Sequence, residues 1–175
     1  MFQLLALLWS VCRLRAGPAN VPYSPFHLSI VIIANVVVAC YQFTWQSDMA
    51  KSLLQAILVT AISVIFTYSV LAVKGFQNRF AQTTTTLIGT NVIINALVIP
   101  LLLLQPFLLQ QGLPTTMLLG FLHVIYLFTI IMMNVWLIMI MVHIYRVALE
   151  VSPVIALLVT IALLGTDILL FALLF

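Results

Sequence analysis

The sequence predicts an all-α, polytopic membrane protein: a bundle of about five transmembrane helices preceded by a short interfacial helix. Three observations predict it. Hydrophobic residues make up 65% of the 175-residue chain. Charged residues make up 5%, against about 25% in soluble domains, too few to cover a water-facing surface. The apolar residues also fall in runs of roughly 20, the length that crosses a hydrocarbon core about 30 Å thick. Short polar or proline-containing turns separate these runs, and the whole reads as a single membrane domain over residues 1–175.

Residues 2–14 are too short to cross. Gln3, Ser10 and Arg13 fall near one helical stripe, and the remainder, Trp9 included, is apolar. That pattern suits a helix lying in the interface or packed on the bundle. It is not a secretory signal, because Arg13 and Arg15 follow the apolar stretch instead of preceding it. Residues 15–25 carry Pro18, Pro22 and Pro25 and form a connector, since proline cannot continue a helix ladder.

Spans are predicted over residues 26–45, 52–73, 84–104, 117–145 and 153–175. The first closes on the aromatic belt Tyr41, Phe43 and Trp45, and a polar turn over 46–51 follows it. Lys74 closes the second, and residues 75–82 form the most polar connection in the chain. The third begins within Thr83–Thr86, with Pro100 placed to kink it. An uncharged turn over 105–115 holds Pro106, Gly112 and Pro114. The fourth span is longer than a hydrocarbon core and must tilt or project. Before the fifth, Ser152 and Pro153 read as an N-cap and a first-turn proline.

With five spans, alternate loops share a side. Arg13, Arg15, Lys74, Arg79 and Arg146 fall on one side and Lys51 on the other. The positive-inside rule then places the N-terminus in the cytoplasm and the C-terminus outside. The net charge of +3 comes from six basic residues spread along the chain without a basic run, so no nucleic-acid partner is expected. Cys12 and Cys40 have no CxxC spacing, which argues against a disulfide framework or a zinc site. His123 and His143, twenty residues apart, read as packing or interface residues and not as metal ligands. No cofactor is expected. GxSxG, P-loop, GxGxxG and HExxH motifs are absent, so no catalytic residue is assigned and the chain is not expected to be an enzyme.

Two stretches resemble each other. Leu87–Leu97 aligns with Leu163–Leu173, with Gly89-Thr90 opposite Gly165-Thr166 and Asn91 opposite Asp167. The likeness is either a parallel internal repeat, as in some transporters, or the chance similarity of two apolar helices. Small residues let helix backbones approach closely, so spans three and five are expected to pack through Gly89 and Gly165. Asp167 is the only acid inside a predicted span. An ionised carboxylate in hydrocarbon is costly, so Asp167 is expected to bond Asn35, Asn91, Asn95, His123 or Asn134, in the bundle or on a partner. Lys74, Arg79 and Arg146 mark the expected cytoplasmic boundary. They serve topology and lipid phosphates, or form a docking surface with Gln77 and Glu150.

The polar loop Gly75-Phe76-Gln77-Asn78-Arg79-Phe80-Ala81-Gln82-Thr83 leads into a glycine-containing span ending near Pro100. Trp136 then begins a run to Arg146, followed by Ser152 and a helix with Ala156-Leu157. This order, over about residues 50–175, resembles the bacterial branch of the Yip1-like membrane proteins. The resemblance implies five spans and a cytoplasmic N-terminus. Eukaryotic members resemble trafficking factors that bind small GTPases through a long cytosolic N-terminal region, which this chain is expected to lack. No family binding residue carries over. Short loops and this likeness point to a bacterial inner membrane.

The expected function is a non-catalytic membrane scaffold or accessory subunit of a larger complex. Its expected partners are membrane lipids and other integral membrane subunits or copies of itself. The alternative is a small oligomeric transporter or channel using Asp167. A third class, an intramembrane enzyme, has no motif behind it.

Overall fold

The computed structural model describes residues 2–45, 47–109 and 117–174. Among them every regular element is helical. The chain forms α1 (Phe2–Cys12), α2 (Pro25–Phe43), α3 (Met49–Val73), α4 (Phe80–Leu109), α5 (Met117–Leu149) and α6 (Pro153–Leu174), with short 3-10 turns at Pro18–Asn20 and Gln77–Arg79. Helices α2 to α6 are each long and apolar enough to cross a membrane. The chain is therefore an integral membrane helical bundle.

Local chemistry explains the helix ends. Ser24 caps α2, its hydroxyl accepting the His27 N–H at 3.3 Å, with Pro25 in the first turn. Helix α3 ends at Gly75, whose φ of 76° lets Phe76 N–H return to the Leu71 carbonyl at 2.9 Å. Two other ends make the same return without a glycine. Leu14 (φ 58°) precedes the bond from Arg15 N–H to the Ser10 carbonyl, and Glu150 (φ 54°) precedes that from Val151 N–H to the Arg146 carbonyl.

Helix α4 differs most from the sequence reading. It runs 30 residues, with both Pro100 and Pro106 inside it. Residues 105–109 of the expected turn over 105–115 are therefore helical; its Gly112 and Pro114 lie outside the described residues, as does Gln46 of the earlier turn. Each proline removes one backbone bond, a local loss that membrane helices tolerate where neighbouring groups or a local backbone adjustment satisfy the freed carbonyl. Helix α5 also continues past Tyr145, to Leu149.

Helix α4 is central: it packs on α2, α5, α3 and α1. Helix α6 closes the bundle against α5 and α3. Residues Thr83 to Thr90 of α4 are all buried. Small side chains in this stretch let neighbouring backbones approach. The main apolar core gathers Val11, Leu71, Leu87, Ile140, Ile144, Tyr145, Leu149 and Leu163. It lies toward the end that carries Lys74, Arg79 and Arg146, here termed the basic end.

Of the two placements open to α1, the structure takes the one docked on the bundle. Leu4, Leu8, Val11 and Cys12 are buried. Trp136 donates its indole N–H to the Cys12 carbonyl at 2.9 Å, and His143 Nε2 lies 3.0 Å from the Ala16 carbonyl. The first gives a partner to a carbonyl that the end of α1 leaves open, and the second holds the connector that follows α1 against α5. Gln82 fastens the connector by donating to the Val21 carbonyl at 2.9 Å.

Candidate functional site

The spans hold one continuous polar network. Asn91 and Asn95 sit four residues apart on α4 and so share a face. Asn95 donates its amide N–H to Asn91 Oδ1 at 2.9 Å, and Asn91 donates to Asn35 Oδ1 of α2 at 3.2 Å. Asn35 donates to Thr60 Oγ1 of α3 at 2.9 Å, and the Thr60 hydroxyl donates to the Ala56 carbonyl at 2.7 Å. At the other end, Gln42 donates to the Asn95 backbone carbonyl at 3.2 Å. Every donor points the same way along the series, an arrangement in which hydrogen bonds polarise one another. The network ties three spans together.

Beyond Asn95, a cavity of about 250 Å³ opens between α2, α4 and α5, at the end remote from the basic end. Gln42, Asn95, Gln105 and Asn134 line it, with Phe43 and Trp45. Asn134 does not join the network: its amide N–H bonds the Ile130 carbonyl of its own helix at 2.8 Å. The cavity nevertheless brings it together with Asn95.

Asp167 is half-buried on α6. Its Oδ1 is enclosed and has no hydrogen-bond partner among the described residues. The expected bond to an asparagine or to His123 is thus not made within the bundle. In the core, Tyr145 and Thr67 join through their hydroxyls at 3.0 Å. Since the Thr67 hydroxyl also reaches the Ser63 carbonyl at 2.7 Å, Tyr145 is the donor of this pair.

The two glycines part company. A Cβ on Gly89 would stand 2.7 Å from Leu8 Cδ1 and 3.2 Å from Val31 Cγ1. Gly165 is exposed, and a Cβ there would meet nothing within 4 Å. Spans three and five therefore do not pack through Gly89 and Gly165. Gly89 instead admits α1 and α2, and α6 lies on α5 and α3.

At the basic end, Arg79 bonds Glu150 at 2.7 Å and the Ala148 carbonyl at 3.4 Å, and its guanidinium lies 4.7 Å from the Phe76 ring centre. It fastens the turn between α5 and α6. Arg146 is exposed beside Glu150, and Lys74 is exposed at the end of α3. Among the described residues no three His, Cys, Asp or Glu side chains cluster as metal ligands would.

Sequence reasoning singled out Asn35, Asn91, Asn95 and Asn134 but not Gln42, Thr60 or Gln105. The spacing of Asn91 and Asn95 was a usable signal. Which residues of α2 and α3 would meet them depends on helix rotation, which weak amphipathicity leaves open. No family model, curated protein or solved structure matches the chain.

Proposed function

We propose that this chain is a non-catalytic integral membrane scaffold or accessory subunit of a larger membrane complex. One observation carries the reading. From Gly120 to Val135 no residue of α5 is buried, and Phe121, Val124, Phe128 and Ile131 are among the most exposed side chains. A helix at the rim of a bundle ordinarily buries one stripe. The stripe of this segment, His123, Tyr126, Ile130 and Met133, is only half-buried, which suits a helix that completes its packing against another membrane subunit.

The basic bias, Arg13, Arg15, Lys74, Arg79 and Arg146 against Lys51, supports a cytoplasmic N-terminus and an outer C-terminus. The Yip1-like layout and a bacterial inner membrane are proposed with it, on loop order and short connections alone. Purification of the tagged chain from native membranes in mild detergent, with mass spectrometry of what accompanies it, tests the reading. A stoichiometric membrane partner whose yield falls on Phe128→Ser/Ile131→Ser supports it. A lone monomer or homo-oligomer overturns it.

The second reading is a small oligomeric transporter or channel. It draws on the enclosed, unpartnered Asp167 Oδ1, because ionisable groups within spans mark ion and proton paths. Asp167→Asn should then abolish flux in proteoliposomes while leaving assembly intact.

A further inference from the structure

A groove of about 460 Å³ runs between α5 and α6 at the basic end. Its walls are apolar: Ile138, Met139 and Val142 of α5, Val154 and Leu157 of α6, and Leu14 just past the end of α1. Arg146 also lines it. Ile138, Val142 and Arg146 fall at i, i+4 and i+8 and so share one stripe of α5. Ile138 lies about 12 Å along the helix from Arg146. Charge and apolar wall are thus separated along the groove. The charge stands three residues from the end of α5, at the level where a bilayer places its headgroups. An amphiphile has the same division.

The charge at this mouth is in surplus. Arg13, Arg15 and Arg146 are all exposed. Arg13 and Arg15 flank Leu14, a lining residue, and the Ala16 carbonyl that follows lies 3.0 Å from Nε2 of His143, another lining residue. None of the three guanidinium groups makes a hydrogen bond or ion pair with the described residues. The acid at this turn, Glu150, is already bonded by Arg79 at 2.7 Å. A guanidinium presents five N–H donors and no acceptor, and it pairs with phosphate through two parallel bonds. A second groove, about 270 Å³ between α2 and α3, makes the contrast. Ile32, Val36, Ile57 and Val64 line it, and no charged residue is among its described lining. It can take an acyl chain but selects no headgroup.

We propose that the groove between α5 and α6 binds an anionic phospholipid, with an acyl chain along its apolar walls and the phosphate on Arg146, and with Arg13 and Arg15 adding positive charge at the mouth. The site goes beyond the scaffold reading and does not depend on it. The test uses the full chain in a maltoside detergent, with native mass spectrometry and thermal unfolding. The probes are phosphatidylglycerol and phosphatidylcholine with matched acyl chains, and inorganic phosphate. Phosphatidylglycerol should bind about tenfold more tightly than phosphatidylcholine, because only the first carries net negative charge. Arg146→Gln should reduce that preference to about twofold without lowering the melting temperature in lipid-free detergent, since its guanidinium holds no described partner. Lys51→Gln makes the same charge change at the opposite end of α3 from the basic end and should leave the preference intact. Leu157→Trp, which narrows the apolar half, should weaken the binding of both lipids. Equal binding of the two lipids overturns the proposal, as does a preference that survives Arg146→Gln or falls as far in Lys51→Gln. Displacement of the lipid by inorganic phosphate at constant ionic strength would give the arginines to a free anion. A dimer that takes up no lipid would give the groove to a second copy of the chain. Either result also overturns it.

Discussion

Leu8 of α1 lies so close to Gly89 of α4 that a Cβ on the glycine would stand 2.7 Å from Leu8 Cδ1. The contact lets α1 sit in the bundle instead of beside it. Gly89→Leu should therefore lower the melting temperature in detergent and expose α1 to protease, at an overpacking cost of about 1–3 kcal/mol. Leu8→Ala in the same chain should restore part of the loss. Gly165→Leu, where the space is open, should leave melting unchanged. Equal effects at the two glycines would refute the asymmetry.

Asn35 joins three spans by donating to Thr60 and accepting from Asn91. Interhelical hydrogen bonds in membranes couple by about 0.6 kcal/mol on average and up to about 1.7. A double-mutant cycle on Asn35→Ala and Thr60→Ala should give a coupling in this range. A coupling indistinguishable from zero would remove the network as a stabilising element.

The helix ends make a paired prediction. At Gly75 (φ 76°) a Cβ would meet nothing within 4 Å, so Gly75→Ala should destabilise by about 1–2 kcal/mol from backbone conformation alone. At Glu150 (φ 54°) the reverse change relieves the same strain. Glu150→Gly also loses the partly exposed ion pair with Arg79, and such pairs contribute about 0–1 kcal/mol. The two effects oppose, and Glu150→Gly should melt close to the parent. Thermal unfolding of both variants checks the contrast.

Cys12 and Cys40 are buried, Cys12 completely. In the folded protein neither thiol should react with a bulky maleimide, and both should react after denaturation. Gly89→Leu should selectively unmask Cys12, since it loosens the helix that carries it. Labelling of Cys40 alone in that variant would show that α1 is not held as described.

The five spans were legible because crossing a membrane demands length and apolarity, and both are plain in the residue order. The end of α4 was less so. Pro106 looks like a stop in a soluble protein, yet the helix continues to Leu109. The likeness of Leu87–Leu97 to Leu163–Leu173 misled for a related reason. Gly89 and Gly165 sit in similar words, but α4 is surrounded and α6 is peripheral, and only neighbours decide which glycine is a contact. The polar network was half legible: the i, i+4 pair Asn91 and Asn95 was visible, while Thr60 and Gln42 belonged to helices whose rotation the residue order does not set. Asp167, the most conspicuous residue in the text of the chain, stands outside that network.

The spans also differ in height. Helix α2 has 19 residues and α5 has 33, about 28 Å and about 50 Å along their axes. Surrounding lipid thus meets a low wall on one flank and a tall one on the other. The short helix matches a hydrocarbon core of about 30 Å, so the mismatch falls on α5, which must tilt, project or thicken the lipid beside it. Mismatch costs a fraction of a kcal/mol per Å and drives association and sorting. The molecule accordingly sits most comfortably where bilayer thickness changes, or where a second protein stands against its tall flank and relieves the lipid of that strain.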